Sequence, residues 1–96
     1  MDLIKSAGYR IGAGEIESTL LGHPAVAECA VIGVPDPDLG QRIVAFVVAH
    51  SPVSAAELTS HVGEELSAHK RPREVVFVDA LPRNEMGKVQ KKRLAQ

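Results

Sequence analysis

The spacing of apolar residues changes several times along the chain, and each change marks an element. Leu3 to Ile11 reads as a short hairpin or bent ribbon around Gly8, because glycine enters the positive-φ conformations of a tight turn without steric cost. Glu15 to Leu21 reads as a short helix. Ile16 and Leu20 are four apart and share a face, and Glu15 and Glu17 lie in the first turn, where the helix dipole favours acids. Gly22 and then Pro24 stop it. Val26 to Val34 is nearly continuous in small and branched apolar residues, the pattern of a strand buried on both faces. Pro35 to Gly40 is a turn cluster, and Ile43 to Ala49 is a second buried strand. Ser54 and Glu57 have capping-box spacing, and Val53 and Leu58 have hydrophobic-staple spacing, so a helix starts there. Leu58, Val62 and Leu66 form its apolar stripe, with Glu57, Glu64 and Glu65 left to solvent.

A basic break follows at Lys70-Arg71-Pro72-Arg73. Glu74 to Val78 then predicts a third, short strand, Leu81 to Gly87 an irregular loop, and Val89 to Ala95 a terminal helix or frayed tail. The order is ribbon, helix, strand, strand, helix, strand, loop, helix. It predicts an α+β (mixed α/β) fold: a small, partly parallel mixed sheet with a β-ribbon, packed by about three helices. Residues 1–96 are expected to form a single domain.

Composition narrows the function classes. About half of the residues are apolar, but only Tyr9, Phe46 and Phe77 are aromatic, so Val, Leu, Ile and Ala must build the core. A formal net charge of -1 gives no overall drive toward nucleic acid or an anionic membrane. Cys29 is the single cysteine, which rules out a disulfide framework or a cysteine-based zinc site within one chain. Its place in an apolar run predicts an inert, buried thiol. No apolar stretch is long enough to span a bilayer, and Asp2 and Lys5 interrupt any signal-peptide pattern. A reducing cytoplasm is the expected setting. The four histidines have no metal-like spacing, and His23 and His50 read as exposed residues at element ends.

The positive charge is uneven and forms three clusters. The first is Lys5 to Arg10, where Ala7 and Gly8 would let a ligand approach the backbone closely. The second is His69-Lys70-Arg71-Pro72-Arg73, where Pro72 limits the backbone and could hold Arg71 and Arg73 in a fixed relation. Guanidinium groups of that kind suit phosphate. The third is Pro82 to Lys88, where a lysine follows a glycine on a loop that could swing. An ammonium there could stabilise developing phosphate or carboxylate charge. On spacing alone, the three also read as a hairpin turn, a solvated linker and a basic tail. There is no Walker loop and no serine–histidine–aspartate signature.

Asp2-Leu3-Ile4-Lys5-Ser6-Ala7-Gly8-Tyr9-Arg10-Ile11-Gly12-Ala13-Gly14-Glu15-Ile16-Glu17 resembles the motif just after the hinge of the adenylate-forming superfamily. That superfamily holds acyl-CoA synthetases, nonribosomal-peptide adenylation domains and beetle luciferases. Leu81-Pro82-Arg83-Asn84-Glu85-Met86-Gly87-Lys88-Val89 resembles its final motif, and Val31-Ile32-Gly33-Val34-Pro35-Asp36 followed by Gly40-Gln41 is also typical of it. The likeness covers essentially the whole chain. Within the superfamily, Lys5 to Glu15 together with His69 to Glu74 resembles the malonyl-CoA synthetase branch.

The resemblance implies the C-terminal lid of an AMP-forming acid–CoA ligase of fatty acid metabolism. The expected substrates are ATP, CoA and a carboxylic acid, with Mg2+ bound mainly by a separate N-terminal domain. Lys88 is then expected to be the catalytic lysine of adenylation, and Lys5 to support thioester formation. Ser6, Ala7 and Gly8 are expected to line the pantetheine tunnel, and His69, Arg71 and Arg73 to lie near the CoA nucleotide. Arg10 is expected to brace the contact with the N-terminal domain. In related synthetases the lysine matching Lys88 can be acetylated, and a flexible Asn84–Gly87 would expose it. Many relatives have glycine where this chain has Ala7. Met1 falls at or beside the usual hinge position, and the fragment is expected to be inactive alone. Two other readings compete. A peptide-synthetase lid would hand its product to a carrier protein, but Lys5-Ser6-Ala7 and the Arg71/Arg73 pair favour CoA. A non-catalytic module binding nucleic acid through its basic tail is disfavoured by few aromatics and near-neutral charge.

Overall fold

The two longest runs of branched apolar residues pair with each other and form the middle of the sheet. In this computed structural model, which describes residues 2–95, they are β3 (Val26–Asp36) and β4 (Gly40–Ala49). Before them come β1 (Leu3–Ser6), β2 (Tyr9–Gly12) and α1 (Ala13–Leu21). After them come α2 (Ala55–Glu65), a 3-10 turn at Ala68–Lys70, β5 (Glu74–Phe77) and α3 (Lys91–Leu94). The class is the α+β arrangement that the apolar pattern predicts. Met1, the expected hinge position, lies outside the described residues.

β3 and β4 run antiparallel from Val26 opposite Ala49 to Asp36 opposite Gly40. The two strands therefore consume half of the expected turn cluster, β3 taking Pro35 and Asp36 and β4 taking Gly40. The Asp36 carboxylate explains why: its Oδ1 accepts from the N–H groups of both Asp38 and Leu39 at 2.9 Å, closing the turn immediately after the strand. The opposite edge of β4 carries two neighbours in succession. β1 touches it antiparallel where Ser6 faces Gly40, and β5 lies parallel to it from Val44 to Val47. The parallel pair needs a crossover, and α2 supplies it.

Side chains alternate along β3 and β4, so Val31, Ile43, Ala45 and Val47 share one face. α1 and α2 cover that face with Ile16, Leu20, Leu58 and Val62, all fully buried. Each such side chain contributes about 1.5–3 kcal/mol of burial. Ala30, Ile32 and Val44 point the other way and are buried too, as both strands were expected to be.

The ribbon β1–β2 crosses the core face at Gly33. A side chain there would stand 2.9 Å from Ile4 Cγ2 and 2.9 Å from the Gln41 side chain, so only glycine admits the crossing. Among the described residues, the outer edge of β3 has no strand partner at Val31. Instead its N–H donates to Glu17 Oε2 at 2.8 Å, and its carbonyl accepts from Lys91 Nζ at 3.0 Å.

Three expectations change. The capping box of α2 forms only in half: Ser54 Oγ accepts from the Glu57 N–H at 3.0 Å, but the Glu57 carboxylate turns to His23 Nε2 at 2.7 Å. His23 is therefore not an exposed loop residue; its side chain is 12% exposed, and Nδ1 accepts from the Ala25 N–H. The terminal helix shrinks to Lys91–Leu94, because residues 88–90 are used in a hairpin described below.

Candidate functional site: a basic cleft and a lysine hairpin

The tip of the ribbon is a two-residue turn. Ala7 has φ +52° and Gly8 φ +85°, between Ser6 and Tyr9, which face each other. Positive φ at both central positions is the type I′ geometry that matches strand twist. Glycine takes it freely, whereas alanine does so under strain. The tip is fastened to the start of β4 by three contacts. The Ala7 N–H donates to the Leu39 carbonyl at 2.9 Å, Ser6 pairs with Gly40, and the Lys5 N–H donates to Gln41 Oε1 at 2.7 Å. The middle motif around Gly33, Asp36, Gly40 and Gln41 thus has a structural role. It seats the ribbon.

Two residues further along the same edge, the Arg73 N–H donates to the Ile43 carbonyl at 2.8 Å and starts β5. The first and second basic clusters are therefore neighbours, although they lie far apart in the chain. Between them is a cleft of about 280 Å³ lined by Ser6 and Ala7 on one side and His69, Arg71 and Arg73 on the other. Pro72 is buried, and the arginines on either side of it both border the cleft. Arg71 is further braced: its Nε donates to the Ala68 carbonyl at 3.0 Å, and its aliphatic stem lies over Gly63. Tyr9 stacks on His69 with ring centroids 4.0 Å apart and an interplanar angle of 19°. That stack joins the ribbon to the second cluster. Lys70 points elsewhere and pairs with Glu15 at 2.9 Å.

Gly8 sits on the turn itself. Lys5 and Arg10 are paired across the ribbon with exposed side chains. The cleft is positive and rimmed by polar groups, with guanidinium forks suited to phosphate oxygens.

Lys88 stands on the other side of the β3–β4 pair. The loop that carries it was expected to be irregular and free to swing, but it is a closed hairpin. Arg83 bridges Val89, the Asn84 N–H donates to the Lys88 carbonyl at 2.9 Å, and Asn84 Oδ1 accepts from the N–H groups of Met86 and Lys88, each at 2.9 Å. Gly87 turns the chain with φ +85°. Arg83 donates to the Gly87 carbonyl and pairs with Glu28 on β3. The backbone at Lys88 is thus held, while its side chain is exposed and has no hydrogen-bond partner among the described residues.

Next to it, Lys91 is committed. Its ammonium meets Asp2 at 2.7 Å, Glu17 at 2.8 Å and the Val31 carbonyl at 3.0 Å. Burial pushes its pKa down, but the hydrogen bonds to Asp2 and Glu17 outweigh this and hold it above the ordinary lysine value. Asp2 is correspondingly lowered by its hydrogen bond to Lys91. Burial, helped by Glu17, pushes the Cys29 thiol up to about 12, which agrees with an inert sulfur.

Sequence reasoning missed Asn84 and Lys91. An asparagine before a Glu-Met-Gly turn is a signal for a side-chain-closed turn. Lys91 gave no local signal, because its partners are on β3, α1 and the start of the chain. Among the described residues no group of three or more His, Cys, Asp and Glu is placed to hold a metal ion. No helix among them is long and apolar enough to cross a membrane.

Comparison with known proteins gives these surfaces a context. The family model of the AMP-binding enzyme C-terminal domain matches residues 15–88. The chain belongs to the AMP-binding enzyme C-terminal domain family. It is 40% identical over 105 residues to a malonate–CoA ligase of Arabidopsis thaliana, covering 97% of this chain and 17% of that protein. Apo MatB from Rhodopseudomonas palustris superposes with a TM-score of 0.93 at 42% identity, covering 98% of this chain and 19% of MatB. A malonyl-CoA ligase in a ternary product complex with methylmalonyl-CoA and AMP is 57% identical, with a TM-score of 0.79 over 86% of this chain and 19% of the ligase. The chain thus spans about a sixth of the length of the curated relatives it matches (17%).

Proposed function

We propose that this domain is the lid of an AMP-forming acid–CoA ligase acting on malonate or a related acid. A carboxylate and ATP form an acyl-adenylate and pyrophosphate, and the CoA thiol then displaces AMP to give the thioester. The lid presents one surface in each step by rotating against an N-terminal domain of the same enzyme.

The observation that supports this is the separation of the two positive surfaces on one rigid sheet. The cleft gathers Ser6, Ala7, His69, Arg71 and Arg73 at one edge of β4, and the Lys88 hairpin lies along β3. In the first step the free ammonium of Lys88 offsets the repulsion between carboxylate and α-phosphate and holds them in line. In the second step Arg71, Arg73 and His69 take the CoA nucleotide, with the guanidinium groups on its phosphates. The backbone at Ser6, Ala7 and Gly8 lines the path of the pantetheine arm. Lys5 supports thioester formation, and Arg10 braces the N-terminal domain. Mg2+ and most of the ATP site belong to that N-terminal domain, so the 96-residue chain alone turns over no substrate. The names of the malonate ligases above carry the choice of acid.

The test uses a full-length ligase carrying this segment, with malonate, ATP and CoA. Lys88→Ala is expected to slow pyrophosphate release by about 10²–10³-fold while leaving thioester formation from supplied acyl-adenylate largely intact. Lys5→Ala is expected to do the reverse. Wild-type rates of both half-reactions in both variants would refute the assignment.

A further inference from the structure

We propose that Lys91 is the positioning residue that fixes the Lys88 hairpin for adenylation; this rests on the reading of Lys88 given above. Three lysines, Lys88, Lys91 and Lys92, border one shallow depression of about 460 Å³ on the β3 side. Their ammonium groups are not equivalent. An ammonium has three N–H donors. Those of Lys91 are hydrogen-bonded to Asp2 Oδ2 at 2.7 Å and to the Val31 carbonyl at 3.0 Å, and its charge is also paired with Glu17 Oε2 at 2.8 Å. Its charge is already shared between two carboxylates. The Lys88 ammonium has no such partner among the described residues and is free to meet a substrate.

The three acceptors come from three parts of the fold. Asp2 leads into β1, Glu17 is on the second turn of α1, and Val31 is in the middle of β3. Three points on separate elements fix the Lys91 side chain, and with it the local backbone. That backbone is the base of the hairpin. Gln90, beside Lys91, donates its N–H to the Pro82 carbonyl at 2.8 Å, and Val89 bridges Arg83. The other leg is tied separately by Arg83 to Glu28. The hairpin therefore has two anchors on β3, and Lys91 is the one that also reaches α1 and β1. The Lys91 side chain is only 25% exposed, so water replaces these bonds poorly. Catalytic alignment tolerates little displacement, and a shift of about 1 Å costs about 10²-fold in rate.

Two measurements test this. In the first, amide hydrogen exchange is followed on this chain with Lys91→Met and Lys91→Arg. Losing a hydrogen-bonded charge is expected to speed exchange at the Lys88, Asn84 and Gln90 amides about tenfold in Lys91→Met, with β4 amides, and β3 amides other than Val31, unchanged. Lys91→Arg is expected to restore protection. Unchanged hairpin amides would overturn the proposal, and so would equal acceleration across the sheet, which means general destabilisation. In the second, the same variants are placed in the full-length ligase beside Lys88→Ala. Adenylation is expected to fall about tenfold or more in Lys91→Met and to recover in Lys91→Arg. Thioester formation from supplied acyl-adenylate should hold within about twofold. Normal adenylation in Lys91→Met, with Lys88→Ala impaired, would sink the positioning role alone. Normal adenylation in Lys88→Ala would sink the lid reading itself, while the exchange data would still judge the anchor.

Discussion

Replacing Ala7 by glycine should stabilise the domain, and replacing its neighbour Gly8 by alanine should do the opposite. Both residues are in the left-handed region, with φ +52° and +85°. An L-residue held there costs about 1–2 kcal/mol in backbone strain. Glycine removes that cost but adds unfolded-chain entropy of about 0.4–1 kcal/mol. The net gain for Ala7→Gly is about 0.5–1 kcal/mol, or about 2–8 °C in Tm for a domain of this size. At Gly8 an added Cβ would meet nothing within 4 Å, so sterics with the rest of the fold contribute nothing. The loss in Gly8→Ala is then backbone alone, about 1 kcal/mol. The assay is thermal and urea unfolding of the chain followed by circular dichroism. Opposite signs at adjacent positions are the signature of φ control. A destabilised Ala7→Gly, or a neutral Gly8→Ala, would refute the turn assignment and with it the described shape of the cleft's ribbon wall.

Gly33→Ala should cost about 1–3 kcal/mol in unfolding experiments, because its Cβ must displace Ile4 or detach Gln41 from the Lys5 N–H; wild-type stability would refute the ribbon crossing. Cys29, with its pKa pushed up to about 12 against an ordinary 9.0, should react with an aromatic disulfide reagent near pH 8 about a thousandfold more slowly folded than unfolded. Fast labelling of the native domain would contradict the raised pKa of this partly buried thiol. The lowered pKa of Asp2 means that its ion pair stabilises the fold above the unfolded carboxyl value and is lost as pH falls through the lower folded value. Because the carboxylate is 65% exposed, the effect stays under about 1 kcal/mol, and Asp2→Asn should flatten the acid limb of a Tm–pH curve.

The helices and central strands were legible because their signals are local. The apolar stripes of α1 and α2 and the branched runs of β3 and β4 each declare a period within a few residues. The cleft was only half legible. Its residues could be marked from motifs, but their meeting depends on β4 accepting Ser6 at Gly40 and Arg73 at Ile43 on one edge, which no window of sequence records. Tyr9 against His69 is hidden for the same reason. The closed form of the Lys88 hairpin was missed because glycine suggested freedom, whereas the Asn84 amide group removes it. Likewise, Glu57 fitted a capping box, but the imidazole of His23, 34 residues earlier, won the carboxylate.

The bare edge of β3 has a consequence for crowding. An unpaired strand edge is a template onto which another chain can add a strand. At Val31 both the N–H and the carbonyl are already taken by side chains, and both of those side chains carry a charge that an incoming strand would have to strand without water. At Val31 the edge is thereby closed to strand addition without a further strand being spent on it.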